Sequence, residues 1–116
     1  MKPALPPRLP LGLACAAALS MTTALATGAW AAGMVNVDQK GLAFSAPALT
    51  VKKGVVLNFS NSDTTSHNIL ITGAGVSLNS GLQQPGVSFK APMVKPGTYQ
   101  VMCGIHPKMK MTVTVN

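Results

Sequence analysis

The stretch Thr98-Tyr99-Gln100-Val101-Met102-Cys103-Gly104-Ile105-His106-Pro107-Lys108-Met109-Lys110-Met111-Thr112-Val113-Thr114-Val115 reads as a strand, a short loop and a returning strand. Its second arm alternates cleanly, with Met111, Val113 and Val115 on one side and Lys110, Thr112 and Thr114 on the other, the period of a half-buried strand. Between the arms lies Cys103-x-x-His106-x-x-Met109, a thiol, an imidazole and a thioether in six steps. Cys103 ends one strand and the loop turns back on itself, so His106 and Met109 can reach a common point from its far side. A second histidine, His67, stands 36 residues upstream at the start of another apolar segment and must be brought over by the fold. The chain holds only two His and two Cys, so every histidine falls where a metal site of this kind needs one.

Working outward, the rest of the chain repeats the strand-and-turn theme. Met34 to Val37, Ala48 to Val51, Val55 to Ser60, His67 to Ile71 and Val87 to Phe89 are short β-favouring runs. They are separated by Lys52-Lys53-Gly54, Asn61-Ser62-Asp63, Thr72-Gly73-Ala74-Gly75, Pro85-Gly86 and Lys95-Pro96-Gly97, which carry turn chemistry. Gly73 to Gly86, rich in Gly, Ser and Gln, reads as a long loop or a ragged edge strand. No helical period emerges. About seven to eight short strands at this spacing predict a single all-β sandwich. Met34, Met93 and Met102 read as packing residues.

The N-terminal third reads differently. Lys2 and Arg8 precede an uncharged, Ala- and Leu-rich run from Leu9 to Ala26, and Ala29-Trp30-Ala31 offers a small-x-small cleavage site, the pattern of a secretory signal peptide. Residues 1–31 are therefore expected to be removed, with cleavage after Ala26 the alternative, leaving residues 32–116 as one exported, periplasmic domain without a stable membrane anchor. Gly12, Ser20, Thr22, Thr23, Thr27 and Gly28 dilute the run too much for a membrane span. Cys15 behind Gly12-Leu13-Ala14 offers a lipoprotein reading, but the apolar run before it is too short. Loss of Cys15 leaves Cys103 as the sole thiol. A lone cysteine in an oxidising compartment is a liability that metal ligation removes.

Seven lysines against Asp38 and Asp63 leave residues 32–116 at +5. Without arginine or basic–aromatic interleaving, nucleic-acid binding has no support. The charge suits either a solvated surface or attraction to an acidic partner.

The donor types discriminate among metals. A structural zinc site prefers four strong ligands, and this chain offers Cys103, His67 and His106 plus a thioether. One thiolate, two imidazoles and a weak methionine suit copper. A Cys–His nucleophile pair would want an acid to orient the histidine; nothing acidic is expected near enough to do so, and the pair shares one tight loop. Copper changes its preferred geometry with oxidation state, so a site assembled from two sheet ends keeps reorganisation small.

Gly97 to Met109, with its short Cys-x-x-His-Pro-x-Met form, resembles the copper loop of the cupredoxin (blue copper) family, plastocyanin- and amicyanin-like, and is nearest the amicyanin form. Phe44-Ser45-Ala46-Pro47, Leu49 to Gly54, Asn61-Ser62-Asp63 and His67-Asn68 resemble the N-terminal half of the same family. The resemblance implies a Greek-key β-sandwich with one type 1 copper, an electron carrier rather than an enzyme. It implies His67, Cys103 and His106 as strong ligands and an axial methionine. Met109 fits the amicyanin spacing and Met111 the plastocyanin one; the alternation of the last strand buries Met111 and favours Met109. Asn68 matches a family position that ties the two copper-bearing loops, with its N–H aimed at the Cys103 sulfur.

Two positions depart from the pattern. Ile105 replaces a proline and keeps an N–H expected to give the sulfur a second bond, and with it a higher potential than an Ile105→Pro variant. Lys108 replaces an aromatic residue and predicts acidic character in the redox partner, a c-type cytochrome or a dehydrogenase met by a monomeric carrier. The exposed edge of His106 is the expected electron port, rimmed by Ile105, Pro107, Ala74 and Val76. The competing reading is a copper-handling protein that buffers or delivers the ion.

Overall fold

The structure, a computed structural model, describes residues 33–116; the expected leader over residues 1–31 lies outside them. The described residues form eight strands and no helix: β1 (Met34–Gln39), β2 (Ala48–Val51), β3 (Val56–Asn61), β4 (His67–Gly73), β5 (Val76–Gln83), β6 (Phe89–Pro92), β7 (Gly97–Cys103) and β8 (Lys110–Val115). They make a three-stranded sheet, β1-β3-β6, and a five-stranded sheet, β2-β8-β7-β4-β5. This is the Greek-key sandwich that the strand pattern and the resemblance predict.

Period-2 alternation explains the core. Leu57 and Phe59 of β3, Ile69 and Ile71 of β4, Tyr99 and Val101 of β7, and Met111 and Val113 of β8 are all buried. Successive strand residues point to opposite faces, so one face of each sheet turns towards the core. Phe59 packs edge-on against Phe44 and stacks on Phe89. Tyr99 donates its buried hydroxyl to the carbonyl of Lys95 at 2.6 Å, so the polar end of a large core side chain is satisfied. Met93 is buried as expected, whereas Met34 is exposed at the start of β1.

The segment Gly73 to Gly86 is resolved as an edge strand. Val76 and Leu78 face inward in β5, and the register against β4 then shifts between Asn68 and Leu70. Gly81 takes a φ of 75° at this point, the left-handed geometry of a β-bulge. The bulge reverses the faces, leaving Leu82 63% exposed and Gln83 buried. That reversal is why the segment shows no clean alternation in sequence.

The topology puts the chemistry at one end. Strands β4 and β7 are antiparallel neighbours with Ile69 opposite Cys103, so His67 at the start of β4 and Cys103 at the end of β7 lie at the same end of the sheet. The hairpin from β7 to β8 adds residues 104–109 at the same end.

Candidate metal centre

Each donor is placed by a local reason. Asn61 ends β3 with a buried side chain whose Nδ2 donates to the carbonyls of Thr65 and Gln83, while its Oδ1 accepts from the N–H of Asp63. This side chain-to-backbone turn shapes the approach to His67. Gln83, opposite His67 in β5, donates to the carbonyls of Phe59 and Val87 and accepts from Gln39 Nε2 at 2.8 Å. A buried amide network therefore supports the His67 end of the sheet. In the hairpin, Met109 N–H donates to the carbonyl of His106 at 2.8 Å and Cys103 N–H to the carbonyl of Met109 at 3.2 Å. These two bonds close a tight loop around His106.

The three strong donors converge. Cys103 Sγ lies 3.7 Å from Nδ1 of His67 and 3.7 Å from Nδ1 of His106, and the two nitrogens are 3.3 Å apart. A triangle of these sides has its circumcentre about 2.1 Å from each corner, close to the ~2.0–2.3 Å of nitrogen and thiolate bonds to a metal of this size. The donor set thus fits a single ion without rearrangement. His67 and Cys103 are wholly buried, and His106 is half-buried. No other group of three or more His, Cys, Asp or Glu side chains has this geometry among the described residues.

The two methionines separate as the alternation predicts. Met111 belongs to the hydrophobic core cluster. Met109 is equally buried, stands outside that cluster and lines the hollow beside His106.

The sulfur has one backbone donor, the N–H of Asn68 at 3.3 Å, where the sequence predicts it. The two loops are tied by the bond from Gly104 N–H to the carbonyl of Asn68 at 2.8 Å. The Asn68 side chain turns the other way and bonds Asn79 Oδ1 and the carbonyl of Gly81 in β5. The expected second donor fails: among the described residues no bond runs from Ile105 N–H to Sγ. The chain turns outward after Gly104, and the Ile105 side chain is 48% exposed.

Two further expectations are corrected. Ala74 and Val76 do not rim His106: they follow the far end of β4, next to Gly97 and Tyr99 at the start of β7. The hollow around His106 is lined by Leu42, Ile105, Pro107, Lys108 and Met109, so Leu42 takes their place. An acid does orient one histidine. Asp63 Oδ2 lies 2.7 Å from Nε2 of His67, the nitrogen facing away from the sulfur. Burial pushes the Asp63 pKa up, but hydrogen bonds from His67 and from the N–H groups of Leu42 and Gly41 outweigh it and hold the carboxyl below its usual value. One of only two acids in residues 32–116, four places before the first histidine, was the available signal. This carboxylate does not revive the nucleophile reading, because the thiol is wholly buried and does not line the hollow beside His106.

Residues 12–115 match the cupredoxin-like domain family. The chain is 31% identical over 111 residues to amicyanin-alpha of Methylorubrum extorquens, spanning 88% of this chain and 93% of that one. It is similar to the solved structure of a reduced Cu(I) form of an amicyanin variant, with a TM-score of 0.66 at 23% identity over 72% of this chain and 82% of that one. A purple cupredoxin from Nitrosopumilus maritimus gives 0.63 at 23% identity over 71% and 99% of the two chains. A copper-containing nitrite reductase from Thermus scotoductus gives 0.66 at 24% identity, with 71% of this chain covering 22% of the enzyme. At these identities the structural likenesses speak to the fold.

Proposed function

The chain belongs to the cupredoxin-like domain family, whose cofactor is copper, and from that premise we propose that it is a periplasmic one-electron carrier, not an enzyme. His67, Cys103 and His106 hold the ion and Met109 supplies the weak axial thioether. The copper, when bound, supplies the one-electron redox chemistry; the protein supplies geometry, potential and docking. Burial of Cys103 and His67 excludes water and fixes both donors at one end of the sheet. The Asn68 N–H stabilises the thiolate and tunes the potential.

His106 is the electron port, because it alone among the strong donors reaches the surface. The apolar rim of Leu42, Ile105 and Pro107 suits a brief, small interface. Lys108 at its edge favours a partner with acidic residues around its own redox centre, a c-type cytochrome or a dehydrogenase. We read the domain as residues 32–116, exported by the leader over residues 1–31 and working as a monomer; the N-terminal sequence of protein recovered from periplasm tests the cleavage site.

One observation carries the reading: three soft and borderline donors converge within 3.3–3.7 Å with a single half-buried edge to solvent. A reversible one-electron wave, with copper retained against a chelator through repeated redox cycles, is the expected result. Rapid loss of copper to the chelator in either oxidation state would move the protein to the copper-handling class.

A further inference from the structure

Leu42 stands in the left-handed region with φ of 58°, a conformation that a leucine adopts only when its surroundings hold it there. It is 52% exposed, so packing does not hold it. The loop carrying it closes through Lys40 N–H to the carbonyl of Ala43. Its strongest restraint is Asp63. Gly41, also left-handed at 65°, donates its N–H to Asp63 Oδ1 at 2.6 Å, and Leu42 donates to Oδ2 at 3.1 Å. Successive N–H groups in this conformation form a small anion cradle, and here the anion is a side chain of the protein itself.

The same Oδ2 holds Nε2 of His67 at 2.7 Å. Asp63 is in turn fixed by Asn61, whose side chain is bonded into the buried amide network. One carboxylate therefore joins the back of a buried ligand to the exposed leucine that walls the hollow beside His106.

We propose that Asp63 is a positioning residue for docking as well as for the metal site: it locks Leu42 onto the rim of the electron port while it fixes the ring of His67. The proposal rests on the reading of His106 as that port. It goes further, in making the shape of the partner surface depend on a residue that no partner touches. Asp63→Asn keeps the size but has a single acceptor oxygen beside a donor NH2, so it cannot accept all three bonds from Gly41, Leu42 and His67.

The test reads the two arms separately. In metal-free protein, hydrogen exchange of the Gly41 and Leu42 amides should quicken by about tenfold or more in Asp63→Asn, as loss of a charge-assisted bond implies. In copper-loaded protein, Asp63→Asn should shift the midpoint potential and slow electron self-exchange between two copies of the chain. Leu42→Gly, which suits the left-handed backbone and deletes the wall, should slow self-exchange with the potential unchanged. Wild-type amide protection in Asp63→Asn, or wild-type self-exchange in Leu42→Gly, would overturn the proposal. Inability of the wild type to exchange electrons would instead defeat the carrier reading, and the metal-free amides would still report whether the clamp exists.

Discussion

Met109 and Met111 stand two residues apart and equally buried, but only Met111 belongs to the core cluster. Met111 fills the core beside Val101 and Val113, so Met111→Ala should cost about 2–5 kcal/mol of stability and leave the copper spectrum in place. Met109→Leu conserves volume, should cost less than about 1.5 kcal/mol, and should change the colour and potential of the copper form. Denaturant titration and visible spectroscopy of the two variants decide the matter; the reverse pattern would make Met111 the ligand. Ile105→Pro should leave the potential nearly unchanged, because its N–H does not reach the sulfur, and a clear fall would restore the second bond. The convergence of His67, Cys103 and His106 was legible because cysteine, histidine and methionine at this spacing have few other uses. Asn68 was legible because it adjoins one of them. Asp63 was not, since its contact depends on a turn that Asn61 shapes through side-chain bonds, and no periodicity encodes that.

Among the elements, the hairpin loop and the bulged edge strand carry the precision of the site. A Cβ on Gly104 would lie 2.5 Å from Asn68 Oδ1, and the Asn68 side chain cannot swing aside because Asn79 and Gly81 hold its amide nitrogen. Gly104→Ala should therefore destabilise the fold by about 1–3 kcal/mol and disturb the bond from Asn68 N–H to Sγ. A thermal melt and the copper absorption band measure the two effects; a variant with wild-type values in both would show that the two loops are not packed as described. Six of the eight strands were legible from alternation and turn residues. The run read as Val87 to Phe89 meets β6 only at Phe89, the strand continuing to Pro92. β5 reads ambiguously because its Gly81 bulge swaps the inward and outward faces part-way along, putting Leu82 outside and Gln83 inside. The replacement of Ala74 and Val76 by Leu42 on the port rim has a similar origin. Which loops share an end of a sandwich follows from strand direction and pairing, and composition carries neither.

For the molecule as a whole, charge and acid response follow from where the few acids sit. Asp38 accepts hydrogen bonds from the hydroxyls of Ser60 and Ser62; burial raises its pKa, and these bonds outweigh that and lower it below the ordinary value. A carboxylate lowered in the folded state adds stability that is complete above the unfolded pKa of about 4. That stability is lost as pH falls through the lower folded value. Melting temperature should therefore drop on acidification below about pH 4, and Asp38→Asn should flatten that drop. Equal acid slopes in the two proteins would remove Asp38 from the account. At neutral pH, Lys40, Lys108 and Lys110 are exposed on or beside the end that carries the port. Lys108→Glu should slow association with an acidic redox partner and weaken its dependence on ionic strength. Stopped-flow kinetics at several salt concentrations that match the wild type would refute electrostatic steering through this residue.

The central claim is that Cys103 binds copper as one of three converging strong donors in a redox site. Its most direct test is the visible spectrum of the domain with one equivalent of Cu(II), before and after ascorbate, for wild type and Cys103→Ser. The wild type should show an intense thiolate-to-copper band that bleaches on reduction and returns on oxidation, and the variant should show none. A faint band in the wild type, unchanged by loss of the thiol, would contradict the account.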